Sequence, residues 1–522
     1  MNVAYPSMIM VKGEDGVYRI KDELYDLINC LCSSHVPDTT TEHETDTLYS
    51  IPDDSECIND VDIELEKDNT GTVFGTIFNL TNTTVGVGTL TLPMAVRQCG
   101  LLLGLVLFFF VMFVSYYVFQ VLLFAADKSI SEMKKKGLLK TKEDCHNNIS
   151  NRKIFEYVLG KVPSMCLEIL YFLFCFGVCC MYVNVIGTSL SLQVNNWIGI
   201  KGHPLGNTYL LMGLVMVLIM YPLSIPKNIS FLGYTSALSI LSILIVDIIM
   251  VIRFIGKLSK NQFQLDLSNL IVVNISSFYD LSMIFLVIAA YFGSFISQFN
   301  LIPLYRELQH RSKKKMSFIV SASFSMSTFI YIISALVGYF MFLDVPIEQL
   351  HGNVLDNFPQ DDILVSVGKI LVILVIILSY PVVHYTARES IINILTNNNP
   401  ISMIIAWKKQ ENHAIQHEIV AQENKNDNDA GYINLIIITT ISCFGCYTIG
   451  LTIPNVMLLM NLSVSFSGII GCFCFPLLLH LISYKSYWCV RFMDLTMLIL
   501  CTIISMISFG KGVYDLITFI VQ

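Results

Sequence analysis

Charged residues are scarce in this chain, and their scarcity excludes most classes of soluble protein. Of the 522 residues, 14% are charged and 54% are hydrophobic, and the mean hydropathy is +0.63. A soluble domain carries about 25% charged residues. The composition therefore predicts a polytopic membrane protein.

Patterns for a signal peptide and for a metal site are also missing. The first 30 residues are polar and mixed in charge, which does not match a secretory signal. The 15 cysteines lie mostly in apolar stretches or in segments expected to face the cytosol, and no Cys/His spacing resembles a zinc site. We therefore expect no disulfide framework and no bound cofactor.

Long apolar stretches are abundant instead. Eleven of them reach the length of a membrane-spanning helix, about 20 residues. The sequence thus predicts an all-α integral membrane protein with about 11 transmembrane helices. The predicted spans lie near residues 73–95, 100–126, 163–192, 207–223, 229–254, 279–300, 317–343, 363–386, 432–453, 457–482 and 490–518.

The polar segments define the rest of the organisation. Residues 1–71 form an acidic tail, which we expect to be largely disordered and cytosolic. Residues 72–522 form the transmembrane domain, whose longest loops, 127–162 and 387–431, are also expected to be cytosolic. With the N-terminus in the cytosol, about 25 basic residues fall inside and about 6 outside, which agrees with the positive-inside rule.

Glycosylation tests this orientation. Among the Asn-x-Ser/Thr sequons, only Asn274-Ile275-Ser276 falls in a loop expected on the non-cytosolic side. We expect a glycan on Asn274, so Asn274→Gln should abolish a glycosidase-sensitive gel shift. The matched change Asn148→Gln, in a loop expected inside, should leave the shift in place. The reverse pattern would contradict the orientation.

The first apolar stretch has an unusual centre. Residues 78–93 read FNLTNTTVGVGTLTLP, with Gly86 and Gly88 following a polar run. Glycine lowers the cost of leaving the helix, and an unwound backbone at membrane depth must be covered by protein or must line a cavity. Such a broken helix is typical of a transporter site. Small residues that let helices pack closely would give a similar pattern.

A second stretch, five spans later, has a similar interruption. Residues 292–298 read FGSFISQ, and Pro303 follows. Many secondary transporters contain two interrupted helices that are related by an inverted repeat. The pair therefore predicts a 5+5 inverted repeat, with broken helices 1 and 6 and an additional eleventh helix.

Short motifs follow one another in a specific order along the transmembrane domain. They include Phe78-Asn79-Leu80 with Asn82, Gly86 and Gly88, then Phe155-Glu156-Tyr157, Phe176-Gly177-Val178 with Tyr182, Pro222-Leu223-Ser224, Pro303-Leu304-Tyr305-Arg306-Glu307-Leu308, and Tyr380-Pro381 with Arg388. This order resembles the amino acid/auxin permease family (amino acid transporter, transmembrane domain), nearest its sodium-coupled neutral amino acid transporters. The resemblance implies a leucine-transporter-like fold and cation-coupled amino-acid transport.

Two positions depart from the family pattern. A histidine that is often found in span 6 is Gln298 in this chain, so pH dependence carried by that histidine is not expected. A glycine expected in span 10 is Val464, which should narrow a contact between helices, although Gly468 lies nearby.

The resemblance places the substrate pocket at the two breaks. Free N–H groups near Val85 to Gly88 would bind the substrate carboxylate, and carbonyls of both spans would bind its ammonium group. Phe295 is a candidate gate and Tyr182 a candidate wall, although ordinary helix packing would also explain both rings. No acid or base lies at these positions, which favours neutral amino acids. The implied pocket residues are Thr83, Thr84, Val85, Gly86, Val87, Gly88, Thr89, Tyr182, Ser294, Phe295, Ser297 and Gln298.

The coupling ion could be Na⁺ or H⁺. By resemblance, a sodium site would use Asn82 and Val85 of span 1 with the hydroxyl of Ser379 on span 8, although serines in membrane helices often bond only to their own backbone. The proton-coupling candidate is Asp247 in span 5, because a carboxylate between Ile and Val residues is costly to ionise. A purely structural pairing of Asp247 with a neighbouring group is the alternative.

Three classes of function remain for such a chain. A secondary active transporter fits the broken helices, and an amino-acid sensor that signals through its tail would share the fold. A membrane enzyme would need a cluster of nucleophile, base or metal ligands on one face, which the sequence does not show. Expected partners are an amino acid, the lipid bilayer and a cytosolic protein docking on the tail, with no nucleic acid. The expected location is the plasma membrane or a vacuolar or lysosomal membrane.

Overall fold

The chain divides into two compact units, Met1–Asn59 and Asp60–Gln522. In the first unit, Val11–Lys12 and Tyr18–Arg19 form an antiparallel pair of short strands. The remaining residues of the acidic tail as far as residue 70 lie outside the described residues, and so does Asn274. The computed structural model describes residues 11–12, 18–19, 71–86, 88–138, 149–199, 203–226, 233–260, 278–346, 349–350, 353–359, 362–397, 435–452, 458, 461–483 and 488–521.

The second unit is built from helices. Within the described residues, nine helices are long and apolar enough to cross a membrane, and a shorter apolar helix covers Thr208–Ser224. Each predicted span corresponds to one of the helices or, for spans 1 and 6, to two consecutive pieces. The all-α membrane fold with two broken spans is therefore confirmed. The helices are α1 (Val73–Val85), α2 (Gly88–Cys99), α3 (Leu101–Lys135), α4 (Asn151–Leu159), α5 (Lys161–Ile198), α6 (Thr208–Ser224), α7 (Gly233–Ser259), α8 (Phe278–Ser294), α9 (Leu301–Glu307), α10 (Lys313–Met341), α11 (Ile363–Asn397), α12 (Leu435–Thr452), α13 (Ser463–Ser483) and α14 (Trp488–Val521).

Several helices extend beyond the apolar stretches that predict them. α3 continues to Lys135 and α11 to Asn397, so the segments 127–162 and 387–431 both begin as helix rather than as loop. α4 forms a further helix within the first of these segments. Apolar length shows where contact with lipid ends, but a helix can continue into water because its hydrogen bonds are internal.

Hydrogen bonds hold both ends of span 1 to neighbouring segments of the chain. Before α1, the amide of Gly71 donates to the carbonyl of Glu307 at 3.0 Å, and the amide of Gln309 donates to the carbonyl of Gly71 at 2.9 Å. At the other end, Arg97 of α2 donates through Nη2 to the carbonyl of Leu343 at 2.9 Å. These bonds tie span 1 to the segment after α9 and to the segment after α10.

A proline explains how α4 contacts the second broken span. Pro303 has no N–H, so it cannot donate to the carbonyl of Phe299, four residues earlier. The side-chain amide of Asn151, at the start of α4, donates to that carbonyl at 2.8 Å. The bond satisfies a buried carbonyl and fixes α4 against the half-helix that follows the break.

Candidate substrate and ion site

The break in span 1 lies where the sequence predicts it. α1 ends at Val85 with Gly86 as its cap, and α2 begins at Gly88, whereas Val87 lies outside the described residues. A Cβ atom on Gly86 would lie 2.9 Å from the Tyr182 hydroxyl, and one on Gly88 would lie 2.8 Å from the hydroxyl of Ser294. The break therefore brings the backbone close to two other spans, and a larger residue at either position would require these side chains to shift.

Span 6 is interrupted at an equivalent place. α8 ends at Ser294, a short 3₁₀ turn covers Gln298–Asn300, and α9 follows from Leu301. Gln298 is fully buried, and its side-chain Oε1 accepts the amide of Ser297 at 3.0 Å. The side chain of Gln298 thus replaces a helical hydrogen bond that the break has removed.

Side chains and carbonyls from the two breaks meet directly. The hydroxyls of Thr84 and Ser297 lie 2.7 Å apart. The Tyr331 hydroxyl of α10 lies 2.6 Å from the carbonyl oxygen of Thr84 and 2.6 Å from that of Ser294. In continuous helices these carbonyls would accept from the amides of residues 88 and 298. The single hydrogen of the Tyr331 hydroxyl is therefore shared between two carbonyls whose helical hydrogen bonds are lost at the breaks.

The sequence gives no sign of this role for Tyr331, because the residue lies in an ordinary apolar stretch. We expect Tyr331→Phe to lower both thermal stability and uptake, since a buried carbonyl without a donor costs about 1–3 kcal/mol. Tyr291→Phe is the matched control, because the Tyr291 hydroxyl is buried and has no hydrogen-bond partner among the described residues. Equal melting temperatures and equal uptake for the two variants would refute the bridging role.

The breaks line a small central cavity of about 40 Å³. It lies between spans 1, 3, 6, 8 and 10, and its aromatic walls are Phe174, Tyr182 and Phe299. A cavity needs about 10–15 Å³ to hold one water molecule, so this volume holds only a few. The remaining lining residues are Thr83, Thr84, Gly86, Gly88, Val178, Met181, Gly293, Ile296, Val383 and Val464.

Several implied site residues lie elsewhere or carry a structural role. Phe295 packs in an aromatic cluster against Phe108, Phe324 and Tyr331, with a ring-centroid distance of 5.3 Å to Tyr331, and does not contribute to the cavity wall. Its place is behind the break, because its side chain points toward α3 and α10. The hydroxyl of Thr89 donates to the carbonyl of Val85 at 2.9 Å and so caps the broken end.

Span 10 reaches the cavity at a π-helical turn. Val464 lines the cavity and lies in a π-helical turn, Ser463–Gly468. A Cβ atom on Gly468 would lie 2.8 Å from the Ile296 side chain. The close contact between spans 10 and 6, which was expected at Val464, is therefore made one turn later by Gly468. π-Helical turns often occur at functional sites.

The candidate cation ligands of spans 1 and 8 lie side by side. The Ser379 hydroxyl donates to Oδ1 of Asn82 at 2.9 Å, and Nδ2 of Asn82 donates to the hydroxyl of Ser236 at 3.3 Å. Asn82 and Ser379 are both buried. Two oxygen atoms from different spans thus meet at one point, and the carbonyl of Val85 lies one turn along α1.

Asp247 lies away from this point, on α7. Its Oδ1 accepts the Ser334 hydroxyl at 2.5 Å, whereas its Oδ2 has no hydrogen-bond partner among the described residues. Ser334 follows Tyr331 by one turn of α10. Asp247 therefore contacts the helix that bridges the two breaks but not the cavity itself.

A polar chain that sequence reasoning did not find lies beside the cavity. Nδ2 of Asn300 donates to the Thr83 hydroxyl at 3.1 Å, and the Thr386 hydroxyl donates to Oδ1 of Asn300 at 3.1 Å. All three side chains are buried. The Asn300 amide thereby links spans 1, 6 and 8.

Several curated relatives of this chain are named amino acid transporters. It is 26% identical to amino acid transporter AVT6E of Arabidopsis thaliana, over 63% of this chain and 64% of that protein. It is 26% identical to vacuolar amino acid transporter 7 of Saccharomyces cerevisiae, over 62% of this chain and 60% of that protein. Against human solute carrier family 38 member 10 the identity is 24%, over 79% of this chain and 32% of the relative. The chain thus spans less than two thirds of the length of each of these relatives.

Two solved transporter structures show distant similarity to this chain. MhsT in complex with L-phenylalanine aligns with 84% of this chain and 98% of its own, at 13% identity and a TM-score of 0.44. MHP1, a nucleobase-cation-symport-1 family transporter, aligns with 86% of this chain and 93% of its own, at 10% identity and a TM-score of 0.46.

The family match covers almost the whole transmembrane domain. The sequence profile of the transmembrane amino acid transporter protein family matches residues 69–518. This range includes both breaks, the central cavity and the Asn82–Ser379 contact, and it leaves no support for a membrane enzyme. The chain therefore belongs to the transmembrane amino acid transporter protein family.

Proposed function

We propose that this protein is a secondary active transporter that moves neutral amino acids across a membrane by alternating access. The observation that carries the proposal is the meeting of two helix breaks at one small cavity, where Thr84 contacts Ser297 and Tyr331 bridges two released carbonyls. An amino acid carries a carboxylate and an ammonium group, and both charges need partners at membrane depth. Backbone N–H and carbonyl groups that a helix break leaves free can provide those partners.

The chemistry of the cavity suits a zwitterion with an uncharged side chain. The ammonium group would bind the carbonyls of Thr84 and Ser294, replacing the single Tyr331 hydrogen that they share. The carboxylate would bind at the N-terminal end of α2, where backbone amides and the helix dipole favour an anion. Among the described lining residues, none is Asp, Glu, Lys, Arg or His, which supports neutral substrates.

The size of the cavity supports alternating access. A volume of about 40 Å³ is too small for an amino acid, so the helices must separate when substrate enters. Both ends of span 1 are held by hydrogen bonds, at Gly71 and at Arg97. Opening on one side would break one of these sets of bonds while the other holds.

Sodium is the coupling ion that the site supports best. Na⁺ is a hard cation that prefers oxygen ligands, and the Ser379 and Asn82 oxygens already lie 2.9 Å apart on two spans. A bound ion would replace the hydrogen bond between them and hold span 1 against span 8. The alternative is a proton on Asp247, which is favoured because its Oδ2 has no hydrogen-bond partner in the described part of the chain. Asp247 is about 16 Å along α7 from Ser236, the residue that contacts Asn82.

Uptake into proteoliposomes tests this proposal. The purified chain would be given a panel of labelled amino acids with a sodium gradient, a proton gradient, both or neither. We expect saturable uptake of neutral amino acids that accumulates only with a sodium gradient. Binding without flux under every gradient would instead support a sensor, and flux of acidic or basic amino acids alone would refute neutral specificity. The plasma membrane and vacuolar or lysosomal membranes remain the proposed locations.

A further inference from the structure

A second cavity, larger than the central one, lies at the beginning of span 1. It measures about 200 Å³ and is bounded by the first turns of α1, the start of α7 and the α9 residues Leu304 and Glu307. This volume is about five times that of the central cavity. We name it the Glu307 cavity.

The Glu307 cavity and the central cavity lie along the same face of α1. On α1, Thr76 and Asn79 line the Glu307 cavity and Thr83 lines the central one. Residues spaced by three and four positions lie on one helix face, so these side chains form a continuous stripe. On span 6, Leu304 and Glu307 continue a stripe that begins at Asn300.

A thin polar layer separates the two cavities. The Asn300 amide donates to the Thr83 hydroxyl and accepts from the Thr386 hydroxyl, each at 3.1 Å. Asn300 lies one turn before Leu304, and Thr83 lies one turn after Asn79. These bonds therefore lie one helical turn from the residues that line the Glu307 cavity, on the side of the helix breaks.

The lining of the Glu307 cavity has the chemistry of an ammonium site. Glu307 provides the one carboxylate among its described lining residues, and Phe74, Phe78 and Tyr234 provide aromatic rings. Among the same described residues, none is Lys or Arg. Arg306 lies 3.9 Å from Oε1 of Glu307, and an ionised carboxylate can accept several hydrogen bonds at once. A carboxylate and ring faces together attract an organic cation.

We propose that the Glu307 cavity is a second amino-acid site, in which Glu307 binds the substrate's ammonium group. The substrate occupies it between the central cavity and the face of the membrane at which α1 begins, and Asn300 separates the two sites. The identity of the ligand rests on the proposed function, whereas the existence of the site does not depend on the coupling ion.

Equilibrium binding of tritiated L-alanine to the full chain in nanodiscs tests this site. The wild type should show a tight and a weak component. Gly88→Leu, which fills the central cavity, should abolish the tight component and leave the weak one. In that background Glu307→Gln should weaken the remaining component about tenfold, because a charge-assisted bond becomes a neutral one. Ala237→Phe, which fills the Glu307 cavity with an apolar ring, should abolish it.

The controls separate this proposal from the transport proposal. Glu132→Gln removes an exposed carboxylate that lines neither cavity, so it should not change either component. A Gly88→Leu protein that binds no alanine at all would overturn the second site, and so would a weak component that both Glu307→Gln and Ala237→Phe leave unchanged. Uptake that survives Gly88→Leu would instead contradict the central transport site.

Discussion

Gly88→Leu is expected to reduce amino-acid uptake to less than about a hundredth of the wild-type rate while the protein still reaches its membrane. A Cβ atom at this position would lie 2.8 Å from the Ser294 hydroxyl and 3.1 Å from the Tyr331 hydroxyl. The rest of a leucine side chain would enter a cavity of about 40 Å³ and cover the amides that we assign to the substrate carboxylate. Initial rates of uptake, normalised to protein in the membrane, measure the effect.

Gly510→Leu is the matched control. Gly510 lies within α14, and a Cβ atom there would have no neighbour within 4 Å. The same change in side-chain volume should therefore leave uptake close to that of the wild type. If correctly folded Gly88→Leu protein transports as well as Gly510→Leu protein, the break in span 1 does not contain the substrate site.

Ser379→Ala is expected to raise the sodium concentration for half-maximal uptake about fivefold, because the loss of one oxygen ligand costs about 1 kcal/mol. The hydroxyl now donates to Asn82, so alanine would also free the Asn82 oxygen. The apparent affinity for substrate should fall mainly at low sodium, since ion and substrate strengthen each other's binding by the same factor. Uptake measured over a matrix of sodium and substrate concentrations separates the two effects.

Ser325→Ala provides the comparison, because the Ser325 hydroxyl is exposed and donates only to the carbonyl of Ser321 in its own helix. It should leave the sodium dependence unchanged. If uptake persists in sodium-free medium and Ser379→Ala has no effect, the sodium site is refuted. Uptake should then follow the proton gradient, and Asp247→Asn should uncouple it, because an amide cannot titrate.

Local properties of the sequence determined the membrane fold. Apolar length placed a helix at every predicted span, because the hydrocarbon core requires about 20 apolar residues from any helix that crosses it. Glycine among polar residues likewise located both breaks, since the cost of leaving a helix is a local property. Helix ends were less accurate, as in α3 and α11, because polar residues can continue a helix in water.

Only the tertiary structure decided which groups meet at the breaks. Thr84 and Ser297 are 213 positions apart, and Tyr331 lies 247 positions from Thr84, so no local pattern links them. The same is true of Asn300, and of Phe295, which packs behind the break although the resemblance suggested a gate. These contacts depend on how the helices rotate and approach one another, and packing of the whole bundle sets that geometry. The amino-acid sequence therefore established which backbone groups are released, and the tertiary structure established which side chains bind them.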